Sequence, residues 1–182
     1  MSQLSPSVSP AELEARLRLH CLPELGPRRF GKLLSAFDSA SAALSAPASA
    51  WRALGLPAAC AESRRSPEVR DGASHAMRWL ERSDQHLLMW DSLGYPALLG
   101  EIDDPPPLLF VAGDPALLER PQLAIVGSRR ASPPALDTAR AFSRGSAQVN
   151  RCYGGALTHG WSCLRTDFGF TARCGKASSA AC

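Results

Sequence analysis

Two glycine motifs that bind nucleotides are missing from this 182-residue sequence. It contains neither G-x-G-x-x-G nor G-x-x-x-x-G-K-[ST], so neither a dinucleotide site nor a P-loop is supported. A pair of acidic residues at a spacing that suits catalysis is also missing. Glu119 and Asp167 each lack an acidic partner at such a spacing. We therefore expect no cofactor and no catalytic residue.

Long apolar runs and a surplus of charge are also lacking. No stretch approaches 18 uninterrupted apolar residues, and no apolar segment follows the first basic residue, Arg16, which predicts a cytoplasmic protein that does not contact a membrane. The net charge is +3, and residues 145–182 carry all of it, with four basic residues against Asp167. Any nucleic-acid site must therefore be a local patch.

The six cysteines form no C-x-x-C pair. Four of them, Cys152, Cys163, Cys174 and Cys182, lie within the last 31 residues. Although His159 lies between the first two, the spacing does not support a zinc site. We expect reduced thiols and no bound metal.

A helical domain is predicted over residues 11–65, after a Ser/Pro-rich segment, 1–10, that we expect to be disordered. Pro10 opens the first helix, in which Leu13, Leu17 and Cys21 share one face. Ala/Ser-rich helical stretches complete this domain. The fold expected here resembles a SAM or helix-hairpin-helix domain.

A Gly-Pro turn separates the first two predicted helices and has two interpretations. Gly26, Arg28 and Arg29 could belong to a helix-hairpin-helix whose exposed N–H groups hold a DNA phosphate. Alternatively, the segment is an ordinary αα-hairpin whose arginines are solvated.

Residues 66–83 predict a charged linking helix with Met77, Trp79 and Leu80 as its apolar contacts. Dense apolar runs then follow at HLLMW, PLLFVAG and QLAIVG. Such runs are typical of strands buried on both faces in a parallel or mixed α/β sheet.

The third run leads into a segment that favours anion binding. Leu123–Val126 predicts a central strand, Gly127 a sharp turn, and Ser132 the N-cap of a helix with Pro133 at its first position. Ligands bind outside the carboxyl ends of such strands, near helix N-termini. The helix should bury Ala135, Ala139 and Phe142.

Ser128, Arg129 and Arg130 follow Gly127 at this position. Guanidinium groups beside backbone N–H groups favour phosphate. The alternative is that both arginines are solvated, or paired with acids such as Asp114 or Asp137.

Two motifs follow each other in residues 95–144: a YP..L..I.DPPP.L...G pattern and then AIVGSR..S. They are carried by Tyr95, Pro96, Leu98, Ile102, Asp104, Pro105, Pro106, Leu108, Gly113, Ala124, Ile125, Val126, Gly127, Ser128, Arg129 and Ser132. In these motifs the segment resembles the DNA-processing protein A family (DprA, also called Smf). With a turn at Leu25–Pro27 that is similar to the family's GLGP, the resemblance extends over about residues 11–144.

This resemblance implies a protein without catalytic activity that acts in competence and natural transformation. Such a protein binds incoming single-stranded DNA, protects it, loads the recombinase RecA and forms a homodimer. The Gly127-Ser128-Arg129 loop would be part of its DNA-binding surface.

The downstream segment departs from the family. Only Gly154-Gly155-Ala156 echoes a GGxA motif, and neither the I-D nor the A-H pair follows. We expect an α/β fold in which the helical domain precedes an incomplete Rossmann-like unit at 84–150. Residues 151–182 would be an aberrant tail from a frameshifted or truncated reading frame.

Two other functions stay open. The same type of α/β phosphate loop serves enzymes that process nucleotides or phosphosugars, and the chain could also be an inactive remnant. Oligonucleotide and mononucleotide binding would distinguish these alternatives.

Overall fold

The structure is a computed structural model that describes residues 8–119, 122–125, 131–147, 152–155, 163–166 and 169–174, with side chains for 8–119 and 131–142. The described helices are α1 (Pro10–His20), α2 (Pro27–Phe37), α3 (Ala40–Ser45), α4 (Ala48–Ala53), α5 (Ala58–Ser63), α6 (Pro67–Leu80), α7 (Ala97–Gly100) and α8 (Pro133–Ala147). The described strands are β1 (Gln85–Met89), β2 (Leu108–Gly113), β3 (Gln122–Ile125), β4 (Cys152–Gly155), β5 (Cys163–Thr166) and β6 (Gly169–Cys174). A 3₁₀ turn spans Pro115–Glu119.

Proline and serine set the helix starts locally. Helices α1 and α2 begin at Pro10 and Pro27. Proline suits the first position of a helix, because the N–H of that position has no partner within the helix and proline has no N–H. The hydroxyl of Ser9 accepts a hydrogen bond from the N–H of Glu12 at 3.2 Å. This bond caps α1.

The larger hydrophobic core lies among the helices. Phe30, Leu33 and Trp51 are fully buried there. The indole Nε1 of Trp51 donates to the carbonyl of Ala43 at 2.8 Å, so its polar group is satisfied inside the core. The predicted helical segment is confirmed as a set of helices with a shared core.

Helix α6 joins this helical part to the sheet. Ala73 and Ala76 pack with Leu108 and Phe110 of β2 in a second core cluster. The Trp79 ring meets the Phe110 ring edge-on, with 5.5 Å between centroids. The predicted helix at 66–83 is therefore present and packed on both sides, while the division into domains stays a prediction.

The predicted strands are present, and the main sheet is mixed. Its order is β1-β2-β6-β5, with β1 antiparallel to β2, β2 parallel to β6, and β5 antiparallel to β6. Strands β3 and β4 pair in parallel as a separate two-stranded sheet. The described elements form an α/β arrangement, while the SAM-like and Rossmann-like topologies stay predictions.

Two strand predictions are wrong. Strand β1 is half-buried throughout, because it lies at the edge of its sheet, whereas β2 is buried over Leu108–Val111 as expected. The run at 123–126 was expected to be central. In the part of the chain that the structure describes, β3 pairs only with β4, and Val126 lies outside that part.

The predicted buried face of α8 is also wrong. Ala135 is exposed, Ala139 is half-buried, and Phe142 retains 65% of its exposure. A periodic apolar face predicts burial only if another element covers it. None of the described side chains buries this face.

Three of the strands lie within 152–174, where the sequence showed no clear pattern. Strand β6 pairs with β2 over Phe110–Gly113 and Thr171–Cys174. The origin of this segment as an aberrant tail stays a prediction.

Candidate nucleic-acid interface

The N-terminus of α2 lacks a side-chain cap. Gly26 occupies the N-cap position, Pro27 follows it, and no side chain accepts from the first turn. The first intrahelical bond runs from the N–H of Phe30 to the carbonyl of Gly26 at 3.0 Å. By contrast, Ser9 and Ser39 cap α1 and α3. The positive end of the α2 dipole is therefore available to an anion.

Gly26 is not required by its own backbone conformation. Its φ is −73° and its ψ is 174°, an extended conformation open to any residue. A Cβ added there would meet nothing within 4 Å. The glycine leaves open space at the helix start, which permits close approach by a ligand.

The two arginines of this turn have protein partners. Arg28 Nε donates to Asp104 Oδ1 at 2.6 Å, and Arg29 Nη1 donates to the carbonyl of Glu24 at 2.6 Å. Both arginines are exposed as well as partnered, so the two interpretations of this turn stay open. The side chains of Arg28 and Asp104 are 75% and 52% exposed, so this ion pair contributes about 1 kcal/mol or less. A phosphate can therefore compete with Asp104 for Arg28 at low cost.

A groove separates the start of α2 from the proline-rich loop. Its volume is about 300 Å³, and it is lined by Pro27, Arg28, Gly31, Trp90, Asp103, Asp104, Pro105 and Pro107. Trp90 is 39% exposed and packs on Gly31, where a Cβ would lie 3.2 Å from the ring. The indole could stack on a base, but the two carboxylates outnumber Arg28. The negative charge of Asp103 and Asp104 therefore makes this groove unfavourable for phosphate.

The Tyr-Pro and triple-proline motifs hold each other in place. The Tyr95 hydroxyl donates to the carbonyl of Pro106 at 2.8 Å. The N–H of Trp90 donates to the carbonyl of Pro107 at 3.1 Å. These bonds fix the loop that carries Asp104 opposite α2. The motif residues therefore have a structural role in this region.

Ser132 lies where the sequence predicted it, directly before α8. The helix begins at Pro133, and the N–H of Leu136 donates to the carbonyl of Ser132 at 3.1 Å. No acidic residue stands in the first turn of α8. The predicted position of Ser132 before the helix is thus confirmed, while its role in binding phosphate stays a prediction.

The rest of the predicted phosphate loop, Gly127, Ser128, Arg129 and Arg130, lies outside the described residues. The two acids considered as partners for these arginines have other contacts. Asp137 pairs with Arg140 at 3.1 Å, and Asp114 accepts from the N–H of Ala116 at 3.0 Å. The role of the loop residues stays a prediction.

The sequence interpretation missed a buried polar network between α1 and the end of β1. Arg16, 9% exposed, donates from both terminal nitrogens to the Asp91 carboxylate at 2.7 Å. Its Nε donates to Glu12 at 3.2 Å. Glu12 also accepts from the N–H groups of Ala40 and Ser41, at 2.8 and 3.0 Å. The network connects α1, α3 and the sheet.

The charge states in this network follow from its hydrogen bonds. Arg16 lowers the pKa of Asp91 below its ordinary value, against the opposing effect of burial. Burial acts to raise the pKa of Glu12, but the N–H donors of Ala40 and Ser41 outweigh it and the pKa is lowered. Only the i,i+4 spacing of Glu12 and Arg16 was visible in the sequence. Asp91 lies 75 residues from Arg16.

Three further observations concern metals, thiols and membranes. Within the described residues, no three His, Cys, Asp or Glu side chains cluster as a metal site would require. Cys21 and Cys60 are free thiols, and burial raises the pKa of both. None of the described helices is long and apolar enough to span a bilayer.

Comparison with protein families bears on the segment from β1 to β4. Residues 86–156 match the model of the family DNA recombination-mediator protein A. The resemblance found in the sequence is thereby confirmed for this segment. No curated protein matches the chain.

The match to the recombination-mediator family includes Asp104, Ser132 and the loop at 127–130. It leaves out α1–α6, and with them Gly26, Arg28 and Arg29. The family indicates DNA processing and recombination as the function of the matched segment. The two predicted groups of DNA-binding residues therefore differ in support: the loop belongs to the matched segment, and the hairpin does not.

Proposed function

We propose that this protein binds single-stranded DNA during natural transformation, protects it and loads RecA onto it. The observation that carries the proposal is the family match over residues 86–156, which includes the glycine-arginine loop and the start of α8. The proposal assigns no catalytic residue. Its site of action would be the cytoplasm, where incoming DNA meets RecA.

The principal phosphate contact in this proposal is the segment Gly127–Ser132. The loop leads from β3 into α8, whose first turn carries no acid to repel a phosphate. Arg129 and Arg130 would supply charge-assisted hydrogen bonds, and the positive end of the α8 dipole would add to them. Pro133 and Pro134 have no N–H, so the first turn of α8 would add the N–H of Ala135. Arg129 should contribute more than Arg130, because it follows Gly127-Ser128 directly and lies nearer the end of the strand.

The hairpin at Gly26–Arg29 would supply a second contact to the same strand. Its helix start is uncapped, and Arg28 has only an exposed ion pair to give up. A phosphate bound there would replace Asp104 as the partner of Arg28 and would accept two hydrogen bonds from the guanidinium group. This contact should be the weaker one, since Asp103 and Asp104 lie in the neighbouring groove.

RecA loading and dimerisation belong to the proposal through the family resemblance. An exposed face of α8 carries Ala135, Thr138, Ala139 and Phe142, and Phe142 retains 65% of its exposure. The resemblance implies that the family's dimer and RecA contacts would lie downstream of residue 144. Both functions are therefore best tested directly, with recombinase and by measurement of molecular mass.

The test is binding of fluorescently labelled oligonucleotides at increasing salt. We expect single strands to bind more tightly than duplexes, with an affinity that falls steeply as salt rises. Retention of mononucleotides without oligonucleotide binding would instead support a nucleotide- or phosphosugar-processing enzyme. Binding of neither ligand would support an inactive remnant.

A further inference from the structure

A second basic site lies on the helical part, away from the segment that matches the family. It is a pocket of about 390 Å³ between α1, α3 and the beginning of α6. We call it the arginine pocket, because Arg18, Arg65 and Arg70 line it with Glu14 as the only acid among its lining residues. None of these three arginines was singled out in the sequence.

The arginines of this pocket are not neutralised by carboxylates. Within residues 8–119, none of Arg18, Arg65 and Arg70 forms a salt bridge. Two of them, Arg65 and Arg70, are exposed and extend from the loop before α6 and from α6 itself. Three arginines from α1, the loop before α6 and α6 itself thus line one cavity with a single acidic residue, Glu14.

Arg18 has an unsatisfied polar atom. Its Nη2 donates to the carbonyl of Arg64 at 3.2 Å, while its Nε is buried without a hydrogen-bond partner. The Nε of Arg64 is buried and unsatisfied in the same way. A buried donor without an acceptor is destabilising. Because both Nε atoms are inaccessible to solvent, a ligand in the pocket would meet the other guanidinium nitrogens of its arginines.

The two serine hydroxyls of the pocket already donate hydrogen bonds within the protein. The Ser41 hydroxyl donates to Glu12 at 2.8 Å, and the Ser45 hydroxyl donates to the carbonyl of Ser41 at 2.9 Å. Their hydrogens are therefore committed, and the donors left for a ligand are guanidinium N–H groups. Planar guanidinium groups match the oxygens of a phosphate, which they can bind in pairs.

We propose that the arginine pocket binds a phosphate group. That group could belong to free phosphate or a small phosphorylated compound, or to a nucleic-acid backbone, since the chemistry of recognition is the same. The inference does not depend on the proposed function, because all the residues of the pocket precede the family match.

The experiment uses the whole chain and inorganic phosphate as the probe, followed by ³¹P and ¹⁵N NMR. Phosphate should bind with a dissociation constant of about 1 mM or tighter, and the Arg18 Nε–H resonance should shift on titration. The double variant Arg65→Gln/Arg70→Gln should weaken phosphate binding about tenfold or more, since each lost contact is charge-assisted. Both positions are exposed, so the fold should survive.

Arg52→Gln is the matched control, because Arg52 is exposed, carries the same charge and does not line the pocket. It should leave phosphate binding unchanged. Absence of phosphate binding, or equal affinities of the double variant and the control, would overturn the proposal.

Oligonucleotide binding then identifies the source of the phosphate. If the double variant also weakens the binding of a labelled single strand, and free phosphate competes with that strand, the pocket recognises a nucleic-acid backbone. If only phosphate binding changes, the ligand is a free phosphate or small phosphorylated compound. Variants of the loop at 127–130 test the proposed function and should not change the binding of phosphate to the arginine pocket. The proposed function and the pocket proposal can therefore fail separately.

Discussion

The helical part, residues 8–80, and the α/β part that follows it differ in how completely they cover their apolar side chains. In the helical part Phe30, Leu33 and Trp51 are fully buried. The large apolar side chains that stay exposed within 8–119 and 131–142 all follow β1: Trp90, Leu93, Leu98, Ile102 and Phe142. The helical part thus encloses its own core, whereas the α/β part presents surface suited to further contacts.

The polar groups show the same contrast. The buried Arg16 network stabilises the junction of the two parts from the helical side, and its carboxylates are fully engaged. The ion pairs that lie apart from this network are more exposed, as in Arg28–Asp104 and Arg140–Asp137. Exposed pairs contribute little to stability and are free to exchange partners.

The largest expected effect is the loss of a core ring. Phe30→Ala should lower the free energy of unfolding by about 3–5 kcal/mol, because it removes a fully buried aromatic side chain and leaves a cavity. Phe142→Ala makes the same chemical change at a ring that is 65% exposed, and should cost less than about 1 kcal/mol. Urea unfolding of both variants measures the difference. Equal losses would mean that the α8 face is covered in solution, and the contrast would fail.

The next effect concerns the junction of the two parts. Asp91→Asn should destabilise the protein by about 1–2 kcal/mol, because Arg16 loses one of its two carboxylate partners and keeps Glu12, and because the Asp91 side chain is 45% exposed. Asp104→Asn removes the exposed partner of Arg28, so a loss below about 1 kcal/mol is expected. Thermal and urea unfolding provide the comparison. A small loss for Asp91→Asn would show that the network does not hold the junction.

Binding variants compare the two predicted DNA contacts. Arg129→Ala should weaken single-strand affinity by about 1.5–3 kcal/mol, roughly ten- to hundredfold, and lower the salt slope by about 0.7. Arg28→Ala should weaken binding less, since Asp104 already competes for that side chain. Fluorescence anisotropy at several salt concentrations measures both.

Arg140→Ala controls for net charge, because Arg140 is exposed on α8 and paired with Asp137. Should Arg129→Ala bind like this control, the loop would have no role in binding phosphate. A Gly127→Val variant tests the same loop differently, since a Cβ would obstruct close approach of the ligand.

The smallest effect is the pH dependence of stability. Glu12 and Asp91 have pKa values below their ordinary ones in the folded chain. Their stabilisation is therefore fully present above the unfolded values, about 4, and is lost as the pH falls through the folded values. Unfolding at pH 7 and near pH 3 should show a smaller difference for Asp91→Asn than for the unaltered chain. An unchanged pH dependence in the variant would exclude Asp91 as its source.

The sequence by itself determined the local elements. The starts of α1, α2 and α8 at Pro10, Pro27 and Pro133 follow from side chains within one helical turn. Strands β1, β2 and β3 were visible as apolar runs, and the family resemblance was visible in motifs that are contiguous in the chain. Short-range sterics and hydrogen bonding act between neighbours in sequence, so these features could be predicted.

Only the tertiary structure decided which distant groups meet. The Arg16–Asp91 pair spans 75 residues, and the Arg28–Asp104 pair spans 76. The edge position of β1, the exposure of Phe142 and the arginine pocket likewise depend on what the chain places beside each element. Periodicity states that a face is apolar or charged. Whether that face is covered, paired or left open to a ligand depends on packing between segments far apart in sequence.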